Sequence, residues 1–284
     1  MNEWLYANYR SRTVNDEKNS FVFHSHAQYE IYCFHSGDCK YLIHHTIYDL
    51  EPGDIIIMDG LTAHRANPSA YVPYERSAVH FLPQWIEPVL ETMGLPESLV
   101  LFKEMNNNLL RGSDGPERTT IYKCIKEIVQ LTEKYEIHAE REVEAELKLL
   151  VATILLNIFK LSKRANNRLT MKKSEKDIHV EKTAAYIHQH FQQKITLDDI
   201  SSALSLSKFY LSRLFKEVTG TTVMDYVMDC RLNNVKYELE MNPKKVLHDV
   251  AIESGFESPA HFSRFFKKKV GITPSQYRRR KGVR

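Results

Sequence analysis

Two sets of residues have the types and spacing to do chemistry. The first is His24-Ser25-His26 with Glu30 and Gly37, spaced His-x-His-x3-Glu-x6-Gly, followed after Pro52-Gly53-Asp54 by His64. In an uninterrupted strand alternate side chains share a face, so positions 24, 26 and 30 point the same way, and His64 can reach them from a neighbouring strand. Three imidazoles and one carboxylate suit Zn, Fe, Mn or Ni. The same groups could hydrogen-bond a small polar effector with no metal, or form a purely structural polar cluster. The second set is basic and lies toward the C-terminus: Arg213 and Arg264, with Lys216, Lys267, Lys268 and Lys269. Basic side chains neutralise phosphate, so this set suits a polyanion such as DNA. Ion pairs inside the protein are the competing use.

The charge distribution supports that division. Residues 178–284 hold 18 Lys and Arg against 11 Asp and Glu, a balance of +7, whereas residues 1–177 hold 21 against 25, a balance of −4. A basic segment ending Tyr277-Arg278-Arg279-Arg280-Lys281 suits a polyanion, although a solvated tail would have the same composition. A chain of 284 residues exceeds the usual size of one core, so two domains are expected. Hydrophobic residues at 43% and only ten each of Gly and Pro exclude a disordered or low-complexity chain. The longest apolar run, Leu149 to Phe159, is too short to span a membrane. The opening Met1-Asn2-Glu3-Trp4 does not resemble a secretory signal, so a cytoplasmic location is expected. Cys33, Cys39, Cys124 and Cys230 are scattered and read as free thiols.

The elements that must position these groups follow from periodicity. From Phe21 to Phe81, short β-rich runs alternate with turn signals, which predicts an antiparallel β domain. His44-His45 falls between two such runs and reads as a surface hairpin turn. Tyr29, Tyr32, Phe34 and Tyr41 read as sheet packing, any one of which could stack on a ligand. Beyond Gly115-Pro116 the apolar spacing becomes helical, first around Ile121 to Leu131 and then from Val143 to Ile158. That stripe is too broad for a lone hairpin, so part of it is expected to face a second copy of the chain. Residues 164–177 are polar and read as a linker.

From Ile178 the chain is helical and repeats itself. Leu197, Asp199 and Ile200 recur 50 residues later as Leu247, Asp249 and Val250. Leu211, Arg213, Phe215, Lys216, Gly220 and Tyr226 recur at 51 as Phe262, Arg264, Phe266, Lys267, Gly271 and Tyr277. Cap residues Thr196, Ser207 and Ser258-Pro259 divide each copy into a short helix, a turn and a second helix, and Thr273 starts a closing helix. Two helix-turn-helix units are the economical reading; a helical duplication used for protein contacts is the alternative.

Leu197-Asp198-Asp199-Ile200, Leu211-Ser212-Arg213-Leu214-Phe215-Lys216, Gly255-Phe256-Glu257-Ser258, Phe262-Ser263-Arg264-Phe265-Phe266-Lys267 and Gly271-Ile272-Thr273-Pro274-Ser275-Gln276-Tyr277-Arg278 resemble the AraC/XylS transcription regulators over about the last hundred residues. Ser205, where that family often has Gly, and Val235, where it usually has Ala, depart from the pattern. The resemblance implies that the second helix of each unit enters a major groove. Ser207, Lys208, Tyr210, Ser212, Arg213 and Lys216 would face the first groove, and Pro259, Ala260, His261, Ser263, Arg264 and Lys267 the second. Leu211, Leu214, Phe215, Phe262, Phe265 and Phe266 are expected in the core.

The N-terminal motif resembles the cupin signature. In regulators of this kind it implies a sensor whose His24, His26, Glu30 and His64 meet an effector, a sugar or related metabolite. The fold class expected is therefore multidomain α and β. It comprises a cupin-like antiparallel β-barrel over 1–115, a helical dimerisation hairpin over 116–163, a linker over 164–177 and an all-α DNA-binding domain over 178–284. The function expected is transcription regulation, by activation, although the sign is not legible in the sequence. The partners are double-stranded DNA, a small-molecule effector, a second copy and RNA polymerase, with no membrane, no cofactor and no catalysis. The alternatives are a metal-dependent cupin enzyme with an appended nucleic-acid-binding domain and a protein-protein adaptor.

Overall fold

The computed structural model describes residues 4–13, 26, 28–60, 64–104, 109–112, 115–134, 141–164 and 173–281. Its N-terminal part contains strands β1 (Leu5–Thr13), β2 (Tyr29–Ser36), β3 (Cys39–Ile43), β4 (Thr46–Asp49), β5 (Ile55–Met58), β6 (His64–Pro68), β7 (Tyr74–Phe81) and β8 (Leu109–Leu110). They form two antiparallel sheets, ordered β1-β7-β2-β5-β8 and β4-β3-β6. The sheets do not close, which corrects the expected barrel. A sheet needs closure only if its edges are otherwise bare. Here the edge strand β4 has its Ile47 amide satisfied by the Glu181 carboxylate of a helix, at 2.8 Å.

Alternation along the strands divides the side chains between two cores. Ile31, Cys33, Val79 and Phe81 pack under helices, whereas Tyr32, Phe34 and Tyr74 join Tyr41, Tyr48 and Ile56 between the sheets. Tyr29, Tyr32, Phe34 and Tyr41 are all buried, as sheet packing requires, and the Tyr32 and Tyr74 hydroxyls meet inside. The four cysteines are buried free thiols.

The covering helices are α1 (Pro83–Thr92), α2 (Glu97–Glu104), α3 (Pro116–Lys134) and α4 (Arg141–Arg164). The first two were not legible, because Pro83, Pro88 and Pro96 break the periodic signal there. The broad stripe of α3 and α4 is used within the chain: Ile121, Ile125, Ile128, Leu147, Val151, Ile154 and Ile158 all belong to one core with the five-stranded sheet. Leu149, 61% exposed, is the large apolar side chain of α4 left outside.

The C-terminal part comprises α5 (Glu175–His190), α6 (Leu197–Ala203), α7 (Lys208–Thr219), α8 (Val223–Met241), α9 (Leu247–Glu253), α10 (Pro259–Val270) and α11 (Pro274–Lys281). Helix α5 starts ahead of residue 178 because Ser174 caps it, accepting from the Asp177 amide at 3.1 Å. Two cores lie along α8. Leu211, Leu214, Phe215 and Tyr226 fill the first, and Val235, Leu239, Phe256, Phe262 and Phe266 fill the second.

Candidate nucleic-acid interface and sensor cluster

Helices α7 and α10 begin and end alike. The hydroxyl of Ser207 accepts from the Tyr210 amide at 3.2 Å, that of Ser258 accepts from the His261 amide at 3.2 Å, and Gly220 and Gly271 close the helices at φ 72° and 84°. With Leu211, Leu214 and Phe215, and with Phe262 and Phe266, turned into the cores, the opposite faces are left for a partner. Ser207, Lys208, Tyr210, Arg213 and Lys216 are exposed on the first helix and Ser212 is half-buried. On the second, Pro259, Ala260, His261, Ser263, Arg264 and Lys267 are all exposed. Helix α8, with 19 residues, is about 28 Å long and holds the two units apart.

Three side chains depart from expectation. Phe265 is half-buried rather than core, and Lys269 lies over its ring. Lys269 itself pairs with the buried Asp229 of α8 at 3.1 Å, which removes it from the free basic face. Phe209, which belongs to neither the expected groove face nor the expected core, is 78% exposed two residues after the Ser207 cap. The available signal was its place off the 211-214-215 stripe, where an aromatic has no core to enter.

In the sensor, register explains the polar cluster. Glu30 of β2 pairs directly with His80 of β7, and both face the interior between the sheets. His64 enters from β6 across the gap. The His26 ring, the His64 Nε2 and the His80 Nε2 approach the Glu30 carboxylate at 3.2, 3.1 and 3.7 Å. The side chain of His64 is 0% exposed and that of Glu30 6%, while His26 at 21% and His80 at 16% form the open side. Burial works to raise the Glu30 carboxyl, but His80, His26 and His64 outweigh it and hold the group well below its ordinary value. Burial pushes His80 down to about 4 against the pull of Glu30. His24 lies outside the described residues. His80 was not foreseen: it belongs to no motif, and only strand pairing brings it to Glu30. By donor chemistry the set fits a divalent transition metal, and a polar ligand could bond to the same atoms.

The two parts touch through the outer face of the three-stranded sheet. Leu42 and Ile47 join the core of the first helical unit. Lys40 pairs with Asp177 at 3.0 Å, Arg65 donates to the Gly220 carbonyl at 3.0 Å, Asn67 donates to the Val218 carbonyl at 2.8 Å, and the Tyr226 hydroxyl donates to the His44 carbonyl at 2.7 Å. His44, in the β3–β4 turn as expected, stacks on His188 of α5 with ring centroids 3.9 Å apart. No helix among the described residues is long and apolar enough to cross a membrane.

A model described as "AraC-like ligand binding domain" matches residues 12–151, and one described as "Helix-turn-helix domain" matches residues 200–280. The melibiose operon regulatory protein of Escherichia coli K12 is 24% identical over 264 residues, covering 90% of this chain and 83% of that protein. Regulatory protein SoxS of the same strain is 35% identical over 96 residues, covering 34% and 89%. Among solved structures, ToxT from Vibrio cholerae is 16% identical with a TM-score of 0.39, covering 97% of this chain and 98% of that one. The C-terminal domain of AraT from Geobacillus stearothermophilus is 31% identical with a TM-score of 0.36, covering 37% and 88%. With a sensor cluster in one part and two capped, outward-facing helices in the other, the chain belongs to the AraC family of effector-responsive transcription regulators.

Proposed function

We propose that α7 and α10 enter successive major grooves on one side of a DNA duplex, with Arg213 and Arg264 reading guanine and Lys216 and Lys267 on phosphate. The observation that carries this reading is the matching pair of leading turns, both exposed while the stripes behind them are buried. Phe209 joins the first set, placed to meet a thymine methyl. Duplexes selected from a random pool test it. Arg264→Ala should cost about 1–3 kcal/mol on the preferred site and relax one base position; an equal loss on every duplex would leave a backbone contact only. Each phosphate neutralised should add about 0.9 to the slope of log affinity against log salt, a dependence that a protein adaptor lacks.

In the same reading a small polar effector meets His26, Glu30, His64 and His80. A sugar or related metabolite is favoured by the likeness to the melibiose operon regulatory protein. The protein works in the cytoplasm as a homodimer without catalysis, with Leu149 at the contact and RNA polymerase as a further partner. A lone 33.2 kDa species in sedimentation at micromolar concentration would remove the dimer.

A further inference from the structure

We propose that Lys176 of α5 is a specificity-determining residue of the first reader: by holding Glu217 it leaves Arg213 free to meet a base. The proposal rests on reading α7 as a groove-entering helix, and it adds a residue from outside that helix to those that set its preference.

Arg213 and Glu217 are four positions apart on α7, so their side chains are neighbours on the helix surface. A carboxylate and the O6 and N7 of guanine both engage the same two-pronged edge of a guanidinium. With no third group present, the glutamate would take the arginine and a base would have to displace it. The structure shows a different pairing. The Glu217 carboxylate is 2.7 Å from the Lys176 ammonium, and Arg213 stands exposed with no ion pair among the described residues. Lys176 above all, and Arg213 after it, hold the Glu217 carboxyl below its ordinary value.

Helix α5 delivers the lysine to that place. Lys176, His179, Val180 and Thr183 have the spacing of one stripe, and this stripe lies along α7. The His179 ring meets the Tyr210 ring edge-on at 6.1 Å, and Val180 shares a core with Leu211, Leu214 and Phe215. The sensor fixes α5 as well, through Asp177 on Lys40 at 3.0 Å and Glu181 on the Ile47 amide at 2.8 Å. The second reader is built without the conflict. At the repeat distance of 51, Arg264 stands for Arg213 and Lys268 for Glu217, so that arginine has a cation four residues on instead of an acid.

The test uses the full chain and duplexes selected from a random pool. Affinity is measured for all four bases at the position where Arg213→Ala relaxes the preference. Lys176→Ala is expected to lower the discrimination there about threefold, the scale of an exposed ion pair. Combining it with Glu217→Gln should restore the wild-type discrimination, and because the double variant lacks the same ammonium, recovery also rules out misfolding. An equal loss on every duplex, with a salt slope shallower by about 0.9 and no recovery in the double variant, would put Lys176 on phosphate and overturn the proposal. Relaxation by Arg213→Ala with none by Lys176→Ala removes this proposal alone. If Arg213→Ala relaxes no position, the groove reading of α7 falls first and takes the proposal with it.

Discussion

The two helix-turn-helix units are copies in sequence and opposites in circumstance. The first is clamped to the sensor through β3, β4 and β6, whereas the second rests on α8, α11 and the end of α5. Their local chemistry has diverged accordingly. At the turn, Ser205 adopts φ 55° in the first unit and Gly255 adopts φ 88° in the second. A Cβ on Gly255 would lie 2.5 Å from the Phe191 carbonyl oxygen and 2.9 Å from the Arg231 Nε, which itself donates to that carbonyl at 2.7 Å. At the preceding helix, Thr196 and Asp199 form a reciprocal capping box, while Val246 in the equivalent place provides no side-chain cap. The two copies repeat one pattern in sequence, and their turns and caps differ where their surroundings differ.

The comparison can be broken at the turns first. Gly255→Ala should destabilise by about 2–4 kcal/mol, since a left-handed alanine is strained and its methyl group strikes backbone. Ser205→Gly should instead gain ~0.5 kcal/mol. Equal effects in urea unfolding would show the turns to be equivalent after all.

An acid scan tests the docked side. Burial, then His44 and His45, push His188 down to about 4 from the ordinary 6.5. The unfolded imidazole therefore takes its proton first, so this contribution is complete above about pH 6.5 and is lost as the pH falls toward 4. His188→Gln should flatten that loss. A profile unchanged by the substitution would mean that the histidine stack contributes nothing to docking.

Arg65→Ala should cost about 1.5 kcal/mol and speed amide exchange at the end of α7 roughly tenfold, leaving α10 as it was. Acceleration spread over both helices would contradict a clamp confined to the first unit. The smallest effect is a repair. Val246→Thr, three residues before Asp249, should install the missing box and raise stability by about 1 kcal/mol in thermal unfolding.

What was legible in the sequence follows the reach of its signals. Caps and apolar stripes act over three or four residues, so Ser207, Ser258 and the faces of α7 and α10 could be read directly. The 50-residue repeat gave the two units. Glu30 and His26 were visible because four positions separate them, but His80 lies 50 residues from Glu30 and meets it only through the pairing of β2 with β7. The stripe on α4 was legible but the sheet beneath much of it was not, because periodicity says how much surface is apolar and not what covers it. Lys269 looked like any other lysine in a basic run until Asp229 was found beneath it.

Strand β6 is five residues long, and its alternation has an outcome for the whole molecule. His64 faces the carboxylate, while its immediate neighbour Arg65 and then Asn67 grip the last carbonyls of α7. Sensing and reading are thus a single peptide unit apart along one ribbon. Among the described residues the partner helix, α10, makes no such contact with the sensor, so a displacement at that histidine has a direct neighbour in one of the two hands and not in the other.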